Sequence, residues 1–106
     1  MIRHCVFIRF RDTVTASAKA EIYMEIAALK GRIPGLIDVH VGVNVSPETG
    51  MDKGFSEGFI VDFDTAAARD AYLVDSDHRR TGAKIVEVAV GGIDGILVYD
   101  LEIPHR

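Results

Sequence analysis

The sequence predicts an α+β fold: an antiparallel sheet of four strands with its helices on one face, in the element order βαββαβ. Three observations carry this. Four segments alternate residue by residue with the period of a strand. Two regions repeat apolar residues at helical spacing. Turn-forming residues separate them, notably Pro34-Gly35, the polar run 46–54 and Gly91-Gly92.

Residues 2–10 form the first expected strand. His4, Val6, Ile8 and Phe10 fall on one face, and Arg3, Cys5, Phe7 and Arg9 on the other. Asp12, Thr13 and Thr15 offer N-caps for a helix running to about residue 32. Its buried stripe is Ala18, Ile22, Ile26, Leu29 and Ile33, and Pro34-Gly35 ends it. The second strand spans 36–45, with Ile37, Val39, Val41 and Val43 sharing a face. The loop 46–54 leads into a third strand at 55–63, where Phe55, Glu57, Phe59, Val61 and Phe63 share a face. Asp64 or Thr65 caps an alanine-rich helix at 66–73, and a further helix is expected at 77–90. Gly91-Gly92 stops it, and the last strand runs over 94–103. Helices on one face leave the other uncovered. Cys5, Phe7 and the valines of the second strand suggest that this face is apolar, hence an association surface. A two-fold dimer joining two such faces is the economical cover.

The length suits one domain over residues 1–106. The lone cysteine, Cys5, cannot form an internal disulfide and reads as a small buried hydrophobe in a cytoplasmic protein. The first ten residues carry charges throughout, unlike a signal peptide, and no apolar run reaches membrane-spanning length. A net charge of −4 argues against nucleic-acid binding. No Cys/His set has metal-ligand spacing, and Arg79-Arg80 would repel a cation beside Asp75, Asp77 and His78, so no metal is expected.

The chemistry-bearing residues concentrate in Tyr72-Leu-Val-Asp-Ser-Asp-His78. On one unbroken helix Tyr72 and His78 would point about 240° apart. Asp75, Ser76 and Asp77 are suited to break the helix there and bring the two rings to a shared corner. His78 could then act as a general base, and Tyr72 could donate to a developing enolate oxygen. Each also has a structural reading: a polar first-turn histidine, and an amphipathic core tyrosine. His4, alone among apolar neighbours, is either a satisfied core histidine or a polar wall of the same pocket. Glu57 on an aromatic face needs a partner, with His4 and Arg79 as candidates, or an exposed edge. Tyr23 reads mainly as packing, and Arg79 as a clamp for an anionic substrate group or a solvated charge.

In order and at compatible spacing, the segments Ile2-Arg-His-Cys-Val-Phe-Ile-Arg-Phe10, Leu29-Lys-Gly-Arg-Ile-Pro-Gly35, Val41-Gly-Val-Asn44, Gly58-Phe-Ile-Val-Asp-Phe63, Ala71-Tyr-Leu73 with His78, and Ile96-Leu-Val-Tyr-Asp100 resemble the stress-responsive α/β-barrel (Dabb) family. The resemblance covers nearly the whole chain. It implies ferredoxin-like protomers paired through their open sheet faces into a dimeric α/β barrel. It further implies similarity to cofactor-free polyketide cyclases, which close a ring by intramolecular aldol condensation with a Tyr and a His placed like Tyr72 and His78. Their tunnel between sheet and helices would here be lined by His4, Val6, Ile8, Ile22, Tyr23 and Ile26, with Arg79 near it. Two places differ from the family pattern: Asp75-Ser-Asp-His78 stands where His-Pro-x-His is common, and Ser56-Glu57 where many relatives carry Thr-His. Another function class open to such a chain is a non-catalytic, stress-associated binding or structural dimer, and a third, by fold analogy alone, is a haem-degrading monooxygenase.

Overall fold

A computed structural model describes residues 1–104. The elements are β1 (Ile2–Ile8), α1 (Ala16–Ala27), β2 (Leu36–Val43), β3 (Glu57–Phe63), α2 (Ala66–Val74), α3 (Ser76–Val88), a 3-10 turn (Gly92–Gly95) and β4 (Ile96–Glu102). The sheet runs β2-β3-β1-β4 with every neighbouring pair antiparallel. This is the ferredoxin-like α+β arrangement that the alternating segments predict.

The helix-facing side of the sheet carries the core. Val6 and Ile8 of β1 lie opposite Phe59 and Glu57 of β3, and His4 lies opposite Val61. Ile22 and Ile26 of α1, Tyr72 of α2 and Ile85 of α3 close over them. Ile8, Ile26, Val61, Phe63 and Tyr72 are fully buried, each such apolar side chain contributing about 1.5–3 kcal/mol. Gly58 lies opposite Phe7 of β1, where a Cβ would run into the Val6 carbonyl oxygen. A hydrogen-bonded clasp ties α1 to α3, with Thr81 Oγ1 donating to Glu25 (2.8 Å) and Lys84 Nζ to its other oxygen (2.6 Å).

Several boundaries differ from the sequence expectation, each for a local reason. Thr15 is the cap of α1, its hydroxyl accepting from the Ala18 amide. The helix stops at Ala27 rather than near residue 32 and passes into turns around Gly31, whose φ of +85° a helix does not accept. Leu29 and Ile33 stay buried even so. β4 begins at Ile96, because Asp94 belongs to the 3-10 turn. In β2 the register shifts between Leu36 and Asp38. This bulge leaves Ile37 exposed and gives the buried position to Leu36, correcting the expected Ile37 stripe.

The valines of β2 are a second correction. Val39 pairs with Val61 and Val41 with Phe59, which puts them on the helix-facing side. They do not line the open face. The apolar residues that do are Cys5 and Phe7 of β1, Ile60 of β3, and Leu97, Tyr99 and Leu101 of β4. Leu97, Tyr99 and Leu101 are 41%, 43% and 49% exposed, so the face is open, as the sequence predicts. Arg3 grips Asp62 there through two bonds of 2.8 and 3.1 Å, and His40 Nε2 stands 3.2 Å from the same carboxylate. Cys5 is nonetheless buried, and burial pushes its thiol pKa up. Among the described residues no helix is long and apolar enough to cross a membrane.

Candidate active site

The break predicted between Tyr72 and His78 falls at Asp75. This residue ends α2 and caps α3 in extended conformation (φ −63°, ψ 134°). Its carboxylate accepts from the amides of Asp77 and His78, each at 3.0 Å, and from Arg32 Nη2 at 2.8 Å. Those bonds hold its pKa below the usual carboxylate range, the Arg32 contact contributing most. Asp77 pairs with Arg32 and Arg80. The corner carboxylates are thus occupied by backbone and guanidinium donors. Among the described residues no group of three or more His, Cys, Asp or Glu is placed to hold a metal ion.

Turning the chain at Asp75 stacks the two rings. The centroids of Tyr72 and His78 are 4.0 Å apart at an interplanar angle of 41°. Tyr72 also meets Phe63 edge-on at 5.1 Å and His4 at 5.6 Å, so strand β1 contributes its histidine to the same cluster. The Tyr72 hydroxyl and His78 Nδ1 are both buried, and neither has a hydrogen-bond partner. Two such atoms in one ring cluster are unusual, because a buried polar group left unpaired costs about 1–3 kcal/mol.

The electrostatics set the proton positions. Burial pushes the Tyr72 pKa well above the ordinary phenol range, with Asp75 adding to it, so the hydroxyl keeps its proton as a donor. Burial depresses the His78 pKa, and His4 nearby lowers it further; the Leu73 carbonyl and Asp75 pull the other way and lose. His78 is therefore a neutral imidazole at neutral pH.

His4 is anchored from behind. Its Nδ1 lies 2.6 Å from Asp100 Oδ1, and Arg69 Nη1 donates to Asp100 Oδ2 at 2.7 Å. Burial alone would raise the Asp100 pKa, but the bonds from Arg69 and His4 outweigh it, and the carboxylate is ionised. Its histidine partner must then be the donor, which fixes the Nδ1–H form. Sequence reasoning missed Asp100 and Arg69. A signal existed for Asp100: it shares the face of Ile96 and Val98 on β4, and an antiparallel register can set it opposite His4. Arg69 left none, since a charge on a short helix reads as solvated.

The other expected site residues lie elsewhere. Val6, Ile8, Ile22 and Ile26 are packed in the core at no more than 5% exposure. Tyr23 is at the far end of the sheet, where it meets Phe10 and Phe59 edge-on and donates to Glu57 at 2.8 Å. Lys19 Nζ reaches the other Glu57 oxygen at 2.9 Å. The partners of Glu57 are thus Lys19 and Tyr23, not His4 or Arg79. Both come from α1, which the helical period alone could not register against β3. Arg79 is exposed.

The chain's fold and sequence both have known relatives. The model of the stress responsive A/B barrel domain matches residues 2–103. Olivetolic acid cyclase of Cannabis sativa is 23% identical over 77 residues, 73% of this chain and 75% of that one. A dimeric ferredoxin-like protein from Jannaschia sp. CCS1 has a TM-score of 0.89 at 31% identity, covering 96% of this chain and 98% of that chain. Hydroxynitrile lyase from Passiflora edulis has a TM-score of 0.81 at 16% identity, covering 99% and 94%, a likeness of fold alone.

Proposed function

Because the chain belongs to the stress-responsive A/B barrel domain family, we propose that it is a cofactor-independent enzyme acting by proton transfer beside a carbonyl, built on a homodimer joined through the open sheet faces. The observation that carries the reading is the pair of buried, unpartnered atoms, Tyr72 Oη and His78 Nδ1. A donor and an acceptor held together without partners suit a ligand that presents an acceptor oxygen next to an acidic C–H.

Neutral His78 Nδ1 takes the proton from the carbon beside the carbonyl. Tyr72 Oη donates to the oxygen as negative charge gathers there. In an aldol closure the enolate carbon bonds to a second carbonyl of the same molecule, and the resulting alkoxide recovers the proton from the His78 imidazolium. No external reactant is consumed. His4, anchored by Asp100 and Arg69, forms a fixed polar wall beside Tyr72. The likeness to olivetolic acid cyclase favours a polyketide-like carbonyl substrate. The lone buried Cys5 fits a reducing cytoplasmic setting.

The test is to screen poly-carbonyl compounds against the parent, His78→Ala and Tyr72→Phe. Loss of turnover by about 10²-fold or more in His78→Ala is expected; equal binding and turnover in variant and parent would end the assignment. A second reading, a non-catalytic binding or structural dimer, draws support from the tight packing of Val6, Ile8, Ile22 and Ile26 where a tunnel would run.

A further inference from the structure

At the opposite end of the sheet is a cavity of about 470 Å³, whose lining includes Arg9, Phe10, Arg11, Val14, Lys19 and Val90. It is not part of the site at the corner. Phe10 lies six residues beyond His4, about 20 Å at strand rise, with Val6 and Ile8 packed in the core between. We propose that this cavity binds a small organic anion, its carboxylate or phosphate head held by Arg9 and Arg11 and its apolar body against Phe10, Val14 and Val90.

The chain carries a net −4, yet this cavity collects three cations, Arg9, Arg11 and Lys19, against two carboxylates, Asp12 and Glu57. Lys19 and Glu57 neutralise each other, with Tyr23 donating to the same carboxylate, which leaves Arg9 and Arg11 against Asp12. Both arginines are held from behind. Arg9 stacks on Phe55, its guanidinium carbon 4.2 Å from the ring centroid, and donates Nε to the Lys53 carbonyl at 2.8 Å. Arg11 donates Nε to the Ala89 carbonyl at 3.3 Å. Each is tethered through Nε, and the Nη groups have no partner among the described residues. Arginine forks fixed from behind bind carboxylate or phosphate with less ordering cost than free ones.

The test is an amide NMR titration of the full chain with phenyl phosphate and, separately, benzoate, against sodium chloride at matched ionic strength. Saturable shifts at Phe10, Gly54 and Ser56 with one or both probes are expected, and the arms tell a phosphate head from a carboxylate. Arg9→Gln and Arg11→Gln should each weaken binding about tenfold or more, while the exposed pair Arg79→Gln/Arg80→Gln leaves it unchanged. The amide spectrum of each variant verifies its fold, and Arg11→Lys, which keeps the charge but loses the fork, should also weaken binding. The proposal fails if neither probe saturates, if chloride reproduces the shifts, or if the Arg79/Arg80 variant weakens binding as much. Because the titration involves neither Tyr72 nor His78, its outcome is independent of the catalytic reading.

Discussion

Replacing Tyr72 with Phe should make the protein more stable while removing a group the proposed reaction needs. The ring is fully buried and packed against Phe63, His4 and His78. Phe keeps that packing and deletes only the hydroxyl, which has no hydrogen-bond partner. Burying an unpaired hydroxyl costs about 1–3 kcal/mol, so its removal should return about 1–2 kcal/mol of folding free energy. With a urea slope of about 1–3 kcal/mol per molar, the midpoint should rise by roughly 0.3–2 M at an unchanged slope. The thermal midpoint of a domain this size should rise by about 4–8 °C per kcal/mol. Urea and thermal unfolding of parent and variant at one fixed protein concentration measure this without any substrate, and keep dimerisation from entering the comparison. A midpoint that stays put or falls would mean that the hydroxyl is satisfied in the native protein. The claim that Tyr72 is held open for a ligand would then lose its physical basis. A stabilised variant that also loses turnover would show the stability–activity trade-off of a working site.

Two further outcomes follow from the same geometry. The His78 pKa is depressed on folding, so the unfolded chain binds more protons as pH drops through about 6.5. The contribution of His78 should be full above that pH and be lost as pH falls toward its folded value. Denaturation at a series of pH values should show a shallower acid slope in His78→Asn, and an unchanged slope would contradict the burial argument. The open sheet face supplies the other: the parent should sediment as a dimer at micromolar concentration, and Leu97→Asp with Tyr99→Asp should release monomers, because a charge at the centre of an apolar interface is left unpaired. A parent that sediments as a stable monomer would refute the dimeric arrangement.

What the sequence determined by itself is whatever depends on local period and local chemistry. Alternation set the faces of β1 and β3, helical spacing set the buried stripe of α1, and short polar side chains marked the corner at Asp75. Those signals survive because a strand or helix exposes its faces whatever it packs against. The tertiary structure decided everything that depends on how one element meets another. It put the β2 valines on the helix-facing side, since a bulge at Ile37 resets the register and only cross-strand pairing reveals it. It gave Glu57 to Lys19 and Tyr23, and His4 to Asp100 and Arg69, partners 34 to 96 positions apart within each pair for all but Arg69, which joins through Asp100. Such contacts are set by sheet order and helix docking, and no period along the chain encodes them.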